Sequence, residues 1–562
     1  PGWRVTHEEL HVHRCPVVIV ASLLLPALAC SPSAPAPGTP APAAATGAGA
    51  ITPAALRARL SIYADDSMQG RKAGTPGNVK ATDYIAAEAR RIGLQPAGDN
   101  GTWFQTIPLQ ERTLVSAASV RAGGQSFSPG VDFVPRDQGA KARPIDGLAV
   151  VDGGPVGDPS HHSAPPAGAY AGKLVVIRPV NADGSTAGVV SRATVTRMFA
   201  SAAAIAVVSL DAMSRTDQQA LMAGGAQLAN PDTPEQPAFL YVSDRMAEAM
   251  LRAGTVQGTI AFMDLPAPAP ARNVVAILPG SDPALKGQYV AVGAHNDHVG
   301  IATTAEDHDS LRAWNTVVRP RGAENSGGVP TAEQQATIDH LIDSLRKVRP
   351  PRRDSVFNGA DDDGSGSVSV LEIARALSQS KARPRRSVLF VWHTAEELGL
   401  LGSDWFTRHP TVPRDSIVAQ LNIDMIGRGR ATDLPQAGPD YVQLIGSRRL
   451  STELGDLVEQ VNADDRHGLA FDYTWDANGH PENSYCRSDH YMYARFGIPI
   501  TFFTTGGHRD YHQLTDEVQY IDFEKMARVA SLVEDVALHV ANLDHRLVVD
   551  KPKPDPEGVC KQ

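Results

Sequence analysis

A chain of 562 residues, 42% of them hydrophobic, is long enough to bury more than one core, and a length prior suggests about two to four compact units. Asp plus Glu outnumber Lys plus Arg, 62 to 52. That mild negative balance gives no reason to expect a nucleic-acid partner, and it is far from the charge excess of a disordered chain.

In chain order, residues 16–29 form an apolar run too short to span a bilayer and of the length of a signal-peptide core, with His13 and Arg14 before it. The order Ala27-Leu28-Ala29-Cys30 then resembles a bacterial lipobox, in which the Cys is lipidated. Residues 31–50 are almost entirely Ser, Pro, Ala, Gly and Thr, the composition of a flexible tether. The expectation is an exported protein, a lipoprotein anchored through Cys30 and facing the periplasm or cell exterior, otherwise a secreted one. Beyond this region only Cys486 and Cys560 remain, too few for a disulfide framework or a Cys-based zinc site, and the sequence leaves open whether they pair.

Residues 51–118 open the folded part. Asn78 is predicted to cap a helix with Val79, Ala81, Tyr84, Ile85, Ala89 and Ile92 on its apolar face, and Gly93 is its natural stop. Between 119 and 268, short β-like runs at 148–151, 174–177, 205–209 and 239–242 alternate with Gly- and Pro-rich turns, which reads as a small β-rich domain inserted into the first. From 271 to 545, strands predicted at 289–294, 388–392, 418–423 and 499–503 alternate with helices at 368–377 and 523–541. This is an α/β fold with a mostly parallel or mixed central sheet covered by helices on both faces. A polar insertion at 303–358 interrupts it with one predicted helix near 333–348, and a polar, Pro-rich tail at 546–562 reads as loosely ordered.

Ligands of open parallel α/β sheets bind beyond the carboxyl ends of the strands. The residues placed there are His295 and Asp297, Glu396 and Glu397, Asp424 and His512, with the run Asp361-Asp362-Asp363 opening the helix at 368. Taken singly these are a polar strand end, a solvated turn or a helix cap. Asp424, however, lies among Ile423, Met425 and Ile426, where a carboxylate is costly unless paired or metal-bound. Imidazole and carboxylate groups delivered to one sheet edge suit zinc and similar divalent ions.

The set HND at 295–297, GADDDGSG from Gly359, AEELGLLGS from Ala395, NIDMIG from Asn422, RSDH from Arg487 and YHQLTDE from Tyr511 resembles the co-catalytic zinc exopeptidases of clan MH, across roughly 55–545. The resemblance implies a zinc exopeptidase (phosphorylase/hydrolase-like) fold and two zinc ions bridged by Asp362. His295 and Asp424 would complete one zinc site, Glu397 and His512 the other. It further implies Glu396 as general base, Asp297 holding the ring of His295, and Tyr485 at the oxyanion. Region 119–268 resembles the protease-associated (PA) domain that many members carry. The implied activity is release of N-terminal residues from peptides. A carboxypeptidase of the glutamate carboxypeptidase kind is the alternative, and a non-catalytic binding module on the same fold is the alternative from another class. His308 and His340 read as surface histidines, and Arg487 as a structural ion pair before a contact to a substrate carboxylate.

Overall fold

The computed structural model describes residues 49–562 apart from 116–117, 137–140, 158–167, 181–191, 214–217, 219–220, 223–224, 230–234, 326, 382 and 466. The export segment 16–29, Cys30 with its expected lipid and nearly all of the 31–50 tether lie outside the described residues. Among the described residues no helix is long and apolar enough to cross a membrane.

The continuous apolar runs become the centre of a mixed sheet. Strands Ser387–His393, Tyr289–His295, Ile417–Ile423 and Ile500–Thr504 lie side by side in that order, all parallel. Antiparallel strands flank them, Ala271–Leu278 against Ser387–His393 and Tyr441–Ile445 against Ile500–Thr504. Strands without alternation must be covered on both faces, and they are. On one side Leu371 and Ile373 of helix Gly364–Gln379 and Met526 and Val533 of helix Phe523–Asn542 share a core with Val292 and Phe390. On the other, Phe406 and Tyr493 pack with Ala291 and Val391.

Helix Pro76–Ile92 starts earlier than predicted. Pro76 occupies a first-turn position, where its missing N–H costs nothing, and Thr75 is the cap residue. Asn78 is therefore inside the helix and buried, its amide donating to Asn296 Oδ1 at 2.8 Å. Gly93 ends the helix with φ +91°.

Between residues 119 and 259 the chain builds a second sheet. Strands Leu148–Val156, Leu174–Pro179, Ala204–Val208 and Ala238–Val242 run parallel, with antiparallel strands at both edges. Each face has its own apolar cluster, around Phe127, Leu240 and Met250 on one and Ile177, Phe199 and Tyr241 on the other. The chain enters and leaves this region through paired antiparallel strands, Leu109–Leu114 and Phe262–Pro266.

The 303–358 excursion has more structure than predicted. Helix His308–Val318 precedes the expected helix, Ala332–Arg346, and strands Ile301–Asp307 and Arg353–Val356 pair at its base. His308 is not a surface residue: it is fully buried, with Nε2 3.2 Å from Glu517, whereas His340 is exposed.

The tail is held rather than loose. Cys560 is disulfide-bonded to Cys486, and Gln562 accepts a 2.9 Å hydrogen bond from the Tyr485 amide. A cross-link over 74 residues restricts the unfolded chain. Replacing both cysteines by Ser is expected to cost about 2–4 kcal/mol in denaturant unfolding. An unchanged midpoint would show that the tail is not cross-linked in solution.

Candidate metal centre

The parallel strands deliver their carboxyl ends to one edge, and the predicted groups meet there. His295 ends its strand with Nε2 3.1 Å from Asp362 Oδ1 and 3.6 Å from Asp424 Oδ1. On the other side of Asp362, His512 Nε2 lies 2.9 Å from Asp362 Oδ2 and 2.9 Å from Glu397 Oε2. The five predicted ligands thus form two groups that share Asp362. Three of their neighbourhoods contain left-handed backbone at non-glycine positions: Ala395 (φ +55°), Met425 (φ +64°) and His512 itself (φ +53°). Such conformations persist only where the surroundings enforce them and gather at functional sites.

The electrostatics follow from crowding. Burial alone would raise the Asp362 carboxyl, but the imidazoles of His295, His512 and His298 override it and hold the group well below the usual range. Glu397 is likewise brought down to about 2, against burial and the adjacent Asp362, by His512 and His298. Glu396 differs. Burial, aided by Asp424 and Glu397, drives it well above the ordinary value. Its carboxylate lines the cavity and has no side-chain hydrogen-bond partner among the described residues.

Behind this edge lies a buried polar frame. Ser488 donates to Asp424 Oδ2 (2.7 Å) and receives from Asn422 (2.9 Å). Asp516 accepts the amides of Asp361 (3.0 Å) and Asp362 (3.1 Å). Asp361 in turn accepts the Gly427 amide and faces His508. Arg428, nearly inaccessible, spans Asp433 (3.0 Å) and Asp510 (2.8 Å), tying the loop after Asp424 to the loop that carries His512. Asp363 turns away from the cavity. It receives the amides of His295 (3.0 Å) and Gly366 (2.8 Å), and so caps the helix behind the site.

Two predicted roles change. His295 Nδ1 is 3.1 Å from the backbone carbonyl of Asp297 but 3.8 Å from its carboxylate, so the carbonyl accepts the ring proton. The Asp297 carboxylate instead accepts the Glu396 amide at 3.1 Å and sets the turn that carries Glu396. Tyr485 does not reach the cavity. It is 3% exposed, packed against His490 and Tyr491 with Arg449 over its ring, because its short helical turn points into the apolar layer beneath. Tyr511 lines the cavity in its place, stacked on His512 with ring centroids 4.1 Å apart.

One neighbour was missed. His298, fully buried, places Nδ1 2.8 Å from Glu397 Oε1 and 3.7 Å from Asp362 Oδ2. The available signal was its position three residues after His295 in a segment already marked for metal chemistry.

The donors fit a divalent metal. Asp362 Oδ2 is buried and, although 2.9 Å from His512 Nε2, has no hydrogen-bond partner. That is how ligand atoms aimed at a shared cation are arranged. Imidazole nitrogens and carboxylate oxygens are the ligand types zinc takes.

An open cleft leads to this edge, lined by Met425, Phe502 and Trp475 as well as the charged groups. The 303–358 excursion supplies one wall. Its Arg321 pairs with Glu324 and with Glu482 (2.7 Å), and Glu324 accepts from Arg487 (2.8 Å). Arg487 is thus in an ion pair, as its sequence reading favoured.

The model of Peptidase family M28 matches residues 337–537, a span containing Asp362, Glu396, Glu397, Asp424 and His512. The match covers less than half of the chain, and the matched domain is similar to peptidase family M28. The domain is similar to leucine aminopeptidase 1 of Aspergillus fumigatus, 30% identical over 194 residues, which are 33% of this chain and 47% of that protein. Leupeptin-inactivating enzyme 1 of Streptomyces exfoliatus is 46% identical over 77 residues, 13% of this chain and 18% of that protein. The chain spans about half the length of the curated relatives it matches first. Among solved structures, an aminopeptidase from Aneurinibacillus sp. strain AM-1 aligns with a TM-score of 0.48 at 17% identity, over 90% of this chain and 97% of that one. His295 and the 303–336 segment precede the family match; the strand of His295 pairs with Ser387–His393 of the matched region, and strand Ile301–Asp307 with its Arg353–Val356.

Proposed function

We propose that the chain is a zinc-dependent exopeptidase that releases N-terminal residues from peptides, with two metal ions sharing Asp362. The observation that carries this reading is the convergence of three imidazoles and two further carboxylates, those of Glu397 and Asp424, around Asp362, beside an unpaired glutamate. Zinc held there supplies Lewis acidity, polarising a carbonyl and acidifying water. His295 and Asp424 would hold one ion, Glu397 and His512 the other. Glu396, desolvated and unpaired, takes the proton of the attacking water and returns it to the leaving amine nitrogen. Tyr511, lining the cavity beside His512, would donate its hydroxyl to the carbonyl oxygen as negative charge develops there. The kinship of region 119–268 to PA domains, export, and anchoring through a lipid on Cys30 belong to the same proposal and rest on the sequence alone.

The charge balance of the wall favours an amino- over a carboxypeptidase. Arg321 and Arg487, the guanidinium groups lining the cavity, are matched by Glu324 and Glu482, so neither is left over for a substrate carboxylate. Assay of the purified protein on aminoacyl substrates and on the same peptides with blocked amino or carboxyl ends tests this. Amino blocking should abolish turnover, and hydrolysis confined to peptides with a free carboxyl end would overturn the assignment. Glu324→Ala frees both arginines from charge-assisted bonds worth about 1.5–3 kcal/mol. It is expected to raise KM about tenfold with little change in kcat. An unaltered KM would show that the excursion does not shape the binding cavity.

A further inference from the structure

Resting on the two-ion reading above, we propose that His298 is itself a metal ligand, so that the two halves of the centre are unequal and hold their ions with very different strength. The half on the His512 side then has four protein ligands, His298, His512, Glu397 and the shared Asp362. The half on the His295 side has His295, Asp424 and Asp362 only. Zinc sites with four protein ligands are closed and retain their ion, whereas sites with three keep a position open.

The geometry behind this is local and specific. The four donor atoms of the His512 half lie within 4.8 Å of one another. His298 is wedged beside Gly359, where an added Cβ would fall 2.5 Å from the imidazole Cδ2, and Gly359 has φ +52°. A side chain at 359 would push the ring away, so the turn that presents Asp361–Asp363 also fixes His298. The ring reaches the centre through Nδ1. Its Nε2 is buried without a hydrogen-bond partner. In the tautomer that carries its proton on Nε2, Nδ1 offers a lone pair to a cation shared with the Glu397 oxygen 2.8 Å away, within the cluster that also holds Asp362 and His512. Asp363, grouped with His295 and Asp424 by distance, does not even the count, because its oxygens are taken by the amides of His295, Gly366 and Met425.

The test reads metal, not turnover. Metal-free protein is titrated with zinc against a chromophoric chelator. The wild type should take up its ions in two resolved steps, the first at least a hundredfold tighter than the second. His298→Asn keeps a polar amide near the Nδ1 position that can hydrogen-bond Glu397 in the metal-free protein, but it offers a far poorer metal ligand. It should lose the tight step, by more than the about 10–100-fold that removal of an outer hydrogen-bond partner costs. Two ions of indistinguishable affinity in the wild type overturn the inference whatever the variant does. So does a His298→Asn protein that retains the tight step, which would leave His298 as a positioning residue for Glu397. Wild-type protein that takes up no zinc would instead defeat the metallopeptidase reading. The far-ultraviolet circular dichroism of the metal-free forms checks that the variant is folded.

Discussion

Glu396→Gln is expected to lower kcat by about 10²–10⁴ while leaving the metal content and the unfolding midpoint unchanged. The other acidic groups at the cavity each have a partner. Asp362 and Glu397 face imidazoles, Asp424 receives Ser488, and Glu324 is held by arginines. Glu396 alone among them has no such partner, and its amide is fixed by Asp297, which orients the side chain without neutralising it. Gln is nearly isosteric and removes only the capacity to take a proton. Metal analysis of the variant separates this outcome from simple disruption. A variant that turned over substrate at the parent rate would remove Glu396 from the mechanism.

Arg428→Met is expected to destabilise the fold by about 3–5 kcal/mol, measured by denaturant unfolding of the metal-free protein. The methionine fills most of the space, so the loss is mainly electrostatic. Asp433 and Asp510, both buried, would face each other without their common counter-ion. Asp433 is brought down to about 2, against its burial, chiefly by Arg428, so its ionised form depends on that guanidinium. Asp510 also anchors Thr515 at 2.7 Å, on the loop between His512 and Asp516. Loss of Arg428 should therefore loosen His512 as well, and zinc affinity should fall with stability. A cost below about 1 kcal/mol would mean that the two carboxylates are solvated or neutral in the native protein.

The sequence determined the central sheet because strands buried on both faces have to be apolar throughout. The runs at 289–294, 388–392 and 418–423 have no other use. It also determined which residues would gather, since His295, Glu397 and Asp424 follow those runs, His512 follows the strand predicted at 499–503, Asp362 opens the helix at 368, and a parallel sheet brings strand ends to one edge. The tertiary structure decided what depended on distances across the chain. Asn78, polar near the start of an amphipathic stretch, looked like a cap, but its partner is Asn296, 218 positions away. Tyr485 had the right spacing before Ser488, yet a one-turn helix rotates it into the apolar layer and leaves the cavity to Tyr511. His298 was hidden because nothing in local sequence separates a histidine aimed at Glu397, 99 positions on, from one aimed at solvent. Local patterning sets which elements form and which faces they bury. Side-chain direction at a turn, and the pairing of charges brought together from distant segments, are fixed only when the whole chain has packed.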